Sequence, residues 1–194
     1  MESRPYTMDA RAEAVEATRL RVLESARRLF EEHWWDEVTL AAIARGAGVS
    51  HQTVLNHFGS KDGVLSGLME HEYDDTIEHR MRVAPGDTAA AIELLLGQYE
   101  ETGLINARAS HQEHRVPALH AALDEARAAH RAWIERTFPH ALPESEPERT
   151  QRVAAFLGAT EVAMWKSLRH DYGFTERDTA VAMTQIINAL EAAS

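Results

Sequence analysis

Apolar residues recur at spacings of three and four along most of this chain, and no stretch shows the strict alternation that is typical of a strand. Such spacing gathers apolar side chains on one face of an α-helix. Alanine, the strongest helix former, is also abundant. The pattern therefore predicts an all-α fold of about nine helices.

The N-terminal third divides into four predicted helices that are separated by capping residues. The first covers about 17–33 and follows a polar stretch, residues 1–16, which we expect to be a flexible arm. Thr39 and Ser50 are the predicted N-caps of two short helices, because a hydroxyl can accept a free backbone N–H of the next turn. Gly48 is predicted to end the first short helix, since glycine tolerates left-handed geometry.

The remaining two-thirds has fewer breaks, of which "VAPGD" at 83–87 is the clearest. Further helices are predicted over about 88–101, 104–114, 117–138, 149–170 and 175–192. We assign residues 17–62 to one domain and residues 63–194 to a second.

The two short helices, residues 39–58, divide their side chains unequally between a core and a surface. The first carries an apolar stripe, whereas the second is rich in uncharged side chains that form hydrogen bonds. A helix-turn-helix uses this division, because its second helix lies in the major groove against the donors and acceptors of base edges. The alternative is an ordinary helical hairpin with a solvated polar face.

Charge is distributed unevenly along the chain, whose formal net charge is −11. Residues 1–61 hold 8 basic and 9 acidic side chains, whereas residues 62–194 hold 12 and 22. The first segment can therefore approach a phosphate backbone without strong repulsion, although it is not basic enough for strong non-specific binding.

The sequence also indicates the cellular compartment in which we expect the protein. It contains no cysteine, which excludes disulfides and thiolate metal sites. It shows no signal sequence and no uncharged run of the roughly 20 residues that span a bilayer. We therefore expect a cytoplasmic protein without a membrane partner.

The N-terminal third resembles the tetracycline-repressor (TetR) family of bacterial transcription regulators. The likeness lies in "VLESARRLFEE" (22–32) and "VTLAAIARGAGVSHQTVLNHFGSKDGVL" (38–65), which share the order and spacing of the family pattern. It implies a helix-turn-helix DNA-binding domain followed by a domain for ligand binding and dimerisation. The implied function is that of a homodimeric repressor, without a cofactor, that a small-molecule effector releases from a palindromic double-stranded operator.

The residues that we expect to contact DNA lie on or beside the second short helix: Thr39, Ser50, His51, Gln52, Thr53, Leu55, Asn56, His57 and Lys61. Leu55 departs from the family, whose members usually carry a tyrosine there that touches the DNA backbone. Leucine cannot bond a phosphate oxygen, although it can contact a thymine methyl. Phosphate contacts then fall to Thr39, His57, Lys61 and backbone amides at helix starts. The base preferences of relatives therefore do not transfer to this chain.

The C-terminal region offers two further sets of candidates. Small and large apolar residues mix on the last two helices, where we expect a symmetric dimer interface formed by Ala154, Gly158, Val162, Ile186, Ile187 and Leu190. The alternative is that these helices pack only on their own domain. The candidate ligand contacts are Met81, Tyr99, Trp133 and Trp165, although large residues at helical spacing are often core. His111 and His114 have metal-ligand spacing but no supporting cysteine, so we interpret them as surface residues and predict no metal site.

Two other functions stay open at this level. An enzyme would need a nucleophile with a base, a metal site or a phosphate loop. We find none of these motifs and predict a protein that is not an enzyme, although scattered His and Glu side chains leave acid–base catalysis open. The other possibility is a helical ligand-binding protein without DNA binding, for which Leu55 is the only hint.

Overall fold

Every regular element is helical in this structure, a computed structural model that describes residues 5–193 and the side chains of 10–72 and 76–193. The α-helices are Pro5–Glu32 (α1), Leu40–Ala47 (α2), His51–Phe58 (α3), Lys61–Arg82 (α4), Thr88–Gln112 (α5), Ala118–Thr137 (α6), Glu148–Thr160 (α7), Val162–Lys166 (α8) and Glu176–Ala192 (α9). Short 3₁₀ turns cover Trp35–Glu37, Glu113–Arg115 and Pro139–Ala141, and a π turn covers Ser167–Asp171. The predicted all-α fold is therefore confirmed.

Two helix limits differ from the prediction near the N-terminus and in α5. α1 begins at Pro5, so the described part of the predicted arm is helical, and residues 1–4 lie outside the described residues. α5 continues through Gly103, where the sequence suggested a break. The glycine marks a close contact there, because a Cβ at Gly103 would overlap the indole ring of Trp165.

The long helix predicted over 149–170 is interrupted. Glu161, between α7 and α8, has the extended backbone angles φ −69° and ψ 140°. The Tyr99 hydroxyl donates to the Thr160 carbonyl at 2.7 Å, so a side chain from α5 satisfies a carbonyl at the end of α7. A partner 61 residues away leaves no local signal in the sequence.

The chain forms two compact units. Unit 1 contains residues 5–71 and 112–120, and unit 2 contains residues 72–111 and 121–193. Segment 112–120, which the sequence assigns to the second domain, thus belongs to unit 1. The chain passes between the units three times, along α4, near the end of α5 and near the start of α6.

Each unit has its own apolar core. Unit 1 buries side chains of α1 to α4 and of the first 3₁₀ turn: Val22, Leu23, Ala26, Phe30, Trp35, Ile43, Val54, Val64, Leu65 and Leu68. The largest buried side chains of unit 2 are Trp133, Trp165, Phe138, Phe156 and Leu95. Among the described residues, we find no helix with the length and apolar character needed to cross a bilayer.

Candidate nucleic-acid interface and ligand cavity

Capping side chains set the geometry of the α2–turn–α3 segment. Thr39 Oγ1 accepts the N–H of Ala42 at 3.1 Å, and Ser50 Oγ accepts the N–H of Thr53 at 3.0 Å. Gly48, between the helices, has a φ of 65°, in the left-handed region that glycine enters without a Cβ penalty. Both caps and the glycine end occur where the sequence predicts them, and together they set the direction in which α3 leaves α2.

Two glycines let the helices around α3 approach closely. A Cβ at Gly46 in α2 would overlap the buried hydroxyl of Ser25, which donates to the Ile43 carbonyl at 3.0 Å. A Cβ at Gly63 in α4 would overlap the carbonyl oxygen of Phe58 at the end of α3. Neither contact is predicted from the sequence, because a glycine inside a helix ordinarily indicates lower helix propensity and not a packing site.

The outer face of α3 presents uncharged hydrogen-bonding groups. The exposed side chains are His51, Gln52 and Asn56, and the partly buried ones are Thr53, Leu55 and His57. Gln52 Nε2 donates to Asn56 Oδ1 at 2.9 Å, one helical turn away. This bond leaves Gln52 Oε1 as an acceptor and the Asn56 amide N–H groups as donors. An adenine edge in the major groove offers the complementary donor and acceptor.

Lys61 begins α4, but its ammonium group is already bound within the chain. Nζ donates to the backbone carbonyls of Trp35 at 2.8 Å, Val38 at 3.0 Å and Asp36 at 3.3 Å. An ammonium has three N–H donors, so these bonds use all of them. The expected phosphate contact of Lys61 is therefore corrected: the side chain holds the first 3₁₀ turn, just before α2, against α4.

Segment 112–120 also packs around that turn. Gln112 is fully buried, and its Oε1 accepts the Trp35 N–H at 2.6 Å. The Arg115 guanidinium lies 4.1 Å from the ring centroid of Trp34 and pairs with Asp36 at 2.7 Å, which keeps the pKa of that carboxyl below its usual range. Polar residues at a helix end ordinarily face solvent, so the sequence does not predict that Gln112 and Arg115 pack against this turn.

A cavity of about 480 Å³ lies in unit 2 between α4, α5, α6 and the α7–α8 junction. We name it the arginine cavity, and its lining includes Arg80, Tyr99, Asn106, Ser110, Leu123, Arg127, His130, Arg131, Leu157, Glu161 and Val162. Cavities of this size accept drug-sized ligands. Among these residues, only Tyr99 is predicted from the sequence to contact a ligand.

Arg80 is a buried cation in this lining, with 8% of its surface exposed. Its Nε donates to Gln98 Oε1 at 2.6 Å, and its Nη1 donates to His130 Nδ1 at 3.2 Å. The rings of Tyr99 and Trp133 flank the guanidinium, with centroids at 5.7 and 5.6 Å. The guanidinium is therefore held in one orientation by groups from α5 and α6.

Two other titratable groups of the arginine cavity have shifted pKa values. Burial, and then the Arg80 charge, lower the pKa of His130 to about 3, so its imidazole is neutral. Because His130 Nδ1 accepts from Arg80, Nε2 carries the proton and donates to Thr160 Oγ1 at 2.9 Å. The Glu161 residue is exposed to solvent, but the protein atoms around its carboxyl partly desolvate that group. This desolvation raises the pKa of Glu161.

A second cavity, of about 640 Å³, lies in unit 2 between α5 and α9. We name it the acidic cavity, because its lining includes Glu93, Glu100, Glu176 and Glu191 and, among the residues described, no lysine or arginine. Trp165 lines it, and its indole N–H donates to Glu100 Oε1 at 2.8 Å.

The four predicted ligand contacts are thus dispersed. Tyr99 lines the arginine cavity, and Trp165 lines the acidic cavity. Trp133 is 2% exposed and packs in the core against Phe138, whereas Met81 is 40% exposed. Neither of these two lines either cavity, so the structure does not bring the four side chains together at one site. The sequence pattern marks large residues but cannot tell a cavity wall from a filled core.

The predicted dimer residues also divide into two groups. The exposed ones are Ala154, Gly158 and Ile186. Val162 and Ile187 are 6% and 0% exposed and belong to the core of unit 2, against which the partly buried Leu190 also packs. The expectation that Val162 and Ile187 contact a partner is therefore corrected. Helical periodicity identifies an apolar face but does not say what covers it.

The N-terminal segment matches known regulators. Residues 22–68 match the family model described as bacterial regulatory proteins, tetR family. A segment of 63 residues is 40% identical to the HTH-type transcriptional regulator AlkX of Mycobacterium tuberculosis. That segment covers 32% of this chain and 28% of AlkX, so the match spans well under two-thirds of the relative.

Solved structures share the fold over most of the chain. Salmonella enterica GusR has a TM-score of 0.71 at 16% identity, over 90% of this chain and 95% of GusR. A tetR-family transcriptional regulator from Streptomyces coelicolor has a TM-score of 0.65 at 18% identity, over 89% of this chain and 80% of that protein. At such identities the likeness concerns the fold alone.

Proposed function

We propose that this chain is a homodimeric, ligand-responsive repressor. Its N-terminal segment matches the model of tetR-family bacterial regulators, and solved regulators share its fold. Proteins of that family are regulators and not enzymes, which agrees with the prediction that this chain has no catalytic activity. The expected partners are palindromic double-stranded DNA and a small-molecule effector.

The observation that carries the proposal is the exposed amide pair on α3. Gln52 and Asn56 are bonded to each other at 2.9 Å, so their amide groups are oriented before DNA arrives. The Thr39 and Ser50 caps and the Gly63 contact hold the helix that bears them. We propose that this pair recognises an adenine in each half-site and that His51, Thr53 and Leu55 contact neighbouring groups. Phosphate contacts then come from Thr39, Ser50, His57 and the backbone amides at the start of α3.

The test is selection of bound duplexes from random-sequence DNA, followed by affinity measurements on the selected operator. We expect a palindromic site, and Gln52→Ala should lose about 1–3 kcal/mol of binding free energy and relax the preference at one base pair per half-site. Ser66→Ala, an exposed substitution on α4, is the control that should leave affinity unchanged. No enriched motif, or equal affinity of Gln52→Ala for the operator, would overturn the assignment.

We propose that the dimer forms through the exposed small and apolar residues of α7 and α9: Ala154, Gly158 and Ile186. Two copies of α3 then meet two half-sites about one DNA turn apart, which is the spacing that a dimeric helix-turn-helix uses. In the alternative from the sequence, these helices pack only on their own domain. That alternative accounts for Val162 on α8 and Ile187 on α9 but not for the exposed residues.

The arginine cavity is the proposed effector site. α4, α5 and α6, which contribute most of its lining, are the helices along which the chain passes between unit 1 and unit 2. A ligand that shifts these helices therefore also acts on residues of unit 1, which include segment 112–120. Release from the operator requires that the ligand bind the released state more tightly, and a shift from 1:99 to 99:1 needs about 5.5 kcal/mol of preference.

A further inference from the structure

The charge of the arginine cavity indicates the chemical class of its ligand. Among the residues that the structure describes, its lining contains Arg80, Arg127 and Arg131 and the acidic residue Glu161. Arg127 and Arg131 are exposed and each pairs with a carboxylate of α6, whereas Arg80 is buried in the wall. The acidic cavity has the opposite charge, so the two cavities of unit 2 favour different ligands.

Neighbouring side chains hold the Arg80 guanidinium in a fixed orientation. Gln98, which accepts from its Nε, is itself held because its own amide donates to the Thr76 carbonyl at 3.0 Å. His130, on the other side, is neutral and adds no second buried charge. A guanidinium held in one orientation offers a carboxylate charge-assisted hydrogen bonds of defined direction.

The other walls of the arginine cavity suit an apolar body. Leu123, Leu157 and Val162 supply aliphatic surface, and Tyr99 supplies a ring beside the guanidinium. We propose that the ligand is a small amphipathic monocarboxylate whose carboxylate binds Arg80 and whose apolar body lies against these side chains. This inference rests on the proposed effector role of the cavity and names the class of molecule that fills it.

The experiment measures binding of matched probes to the full-length protein by calorimetry. The probes are octanoate, 1-octanol and octylamine, together with 3-phenylpropionate and its alcohol and amine counterparts. Within each set of three, the probes differ only in their head group. We expect at least one carboxylate to bind about tenfold or more tightly than its alcohol and amine counterparts, because charge-assisted bonds to a buried cation are strong.

Two matched variants test the role of Arg80. Arg80→Met should remove the preference for the carboxylate, and Arg80→Lys should keep part of it. Arg177→Met replaces an exposed arginine of α9 that lines neither cavity, and it should keep the preference in full. Circular dichroism checks the fold of each variant, and if Arg80→Met does not fold, the rank order of head groups in the natural chain decides the question.

Operator binding is measured in the same samples so that the two proposals can fail separately. Equal or tighter binding of the amines or alcohols, with operator binding intact, overturns the carboxylate inference alone. Equal loss of the preference in Arg80→Met and Arg177→Met overturns it as well. Carboxylate binding that depends on Arg80 but leaves the operator bound supports the ligand class and contradicts the effector role. Release of the operator by the same carboxylate supports both.

Discussion

Hydrogen bonds from the Lys61 ammonium to the carbonyls of Trp35, Asp36 and Val38 join the start of α4 to the turn before α2. These bonds change what a lysine in the helix-turn-helix segment is expected to do. The same charge was expected on a phosphate, because a lysine at a helix start in this motif has the position of an anion contact. Its bonds instead place it in the framework that supports α3.

We predict that Lys61→Met lowers the free energy of unfolding by about 1–3 kcal/mol, because three backbone carbonyls, two of them in part-buried bonds, lose a charged donor. Chemical denaturation measures the change. Lys166→Met is the control, since Lys166 pairs with Asp171 at the surface and such pairs contribute about 0–1 kcal/mol. If Lys61→Met leaves stability unchanged and weakens the salt dependence of operator binding, Lys61 contacts a phosphate after all.

His130 should make stability depend on pH. Its pKa is about 3 in the folded chain, below the usual value near 6.5, so the unfolded chain binds more protons between these values. Stability is therefore present above about pH 6.5 and is lost as the pH falls towards 3. Between pH 7.5 and 5.0, the natural chain should lose about 2 kcal/mol more than His130→Gln. If the free energies of unfolding of the two proteins, measured by isothermal denaturation, change in parallel with pH, this assignment is wrong.

At the element scale, two glycines of α5 show why a single residue type cannot be interpreted from the sequence alone. A Cβ at Gly103 would overlap the indole of Trp165, whereas a Cβ at Gly97 would meet no atom within 4 Å outside its own helix. Both interrupt the same helical pattern. Gly103 is needed for packing between α5 and α8, whereas Gly97 lines the acidic cavity without a close contact and weakens the helix.

We therefore expect opposite effects of the same substitution in one helix. Gly103→Ala should lower the free energy of unfolding by about 1–3 kcal/mol, because the Trp165 ring must move. Gly97→Ala should raise it by up to about 1 kcal/mol through helix propensity. Thermal unfolding followed by circular dichroism measures both, and a change in tryptophan fluorescence should accompany only Gly103→Ala. A stabilising Gly103→Ala would show that Trp165 has room to relax.

At the scale of the whole molecule, Gly158 offers a clean test of the proposed dimer. A Cβ at this exposed position on α7 would meet no atom of its own chain within 4 Å beyond its own helix. Gly158→Leu should therefore leave the protomer folded and act only on contacts between copies, by overpacking the interface. We predict monomers in sedimentation and a large loss of operator affinity, since one α3 contacts only a half-site.

The control for that experiment is Gly97→Leu, which adds the same side chain to an exposed glycine on α5. It should leave both the assembly and operator binding unchanged. A Gly158→Leu protein that sediments as a dimer and binds its operator normally would place the interface elsewhere on the chain.

The sequence by itself determined the features that depend on neighbours within one helical turn. The caps at Thr39 and Ser50, the left-handed Gly48 and the polar face of α3 all follow from residues three or four positions apart, which is the range of helical side-chain contacts. The helical class and the family resemblance follow from the same short-range order.

Tertiary structure alone decided the contacts between distant residues. The carbonyls that bind Lys61 lie 23–26 residues before it, and Gln112 reaches Trp35 across 77 residues. Arg80 and His130 meet across 50 residues to form the wall of the arginine cavity. Periodicity states which side chains share a helix face, but the partner of that face depends on how the chain packs. For this reason Val162 and Ile187 looked like dimer residues in the sequence and proved to be core.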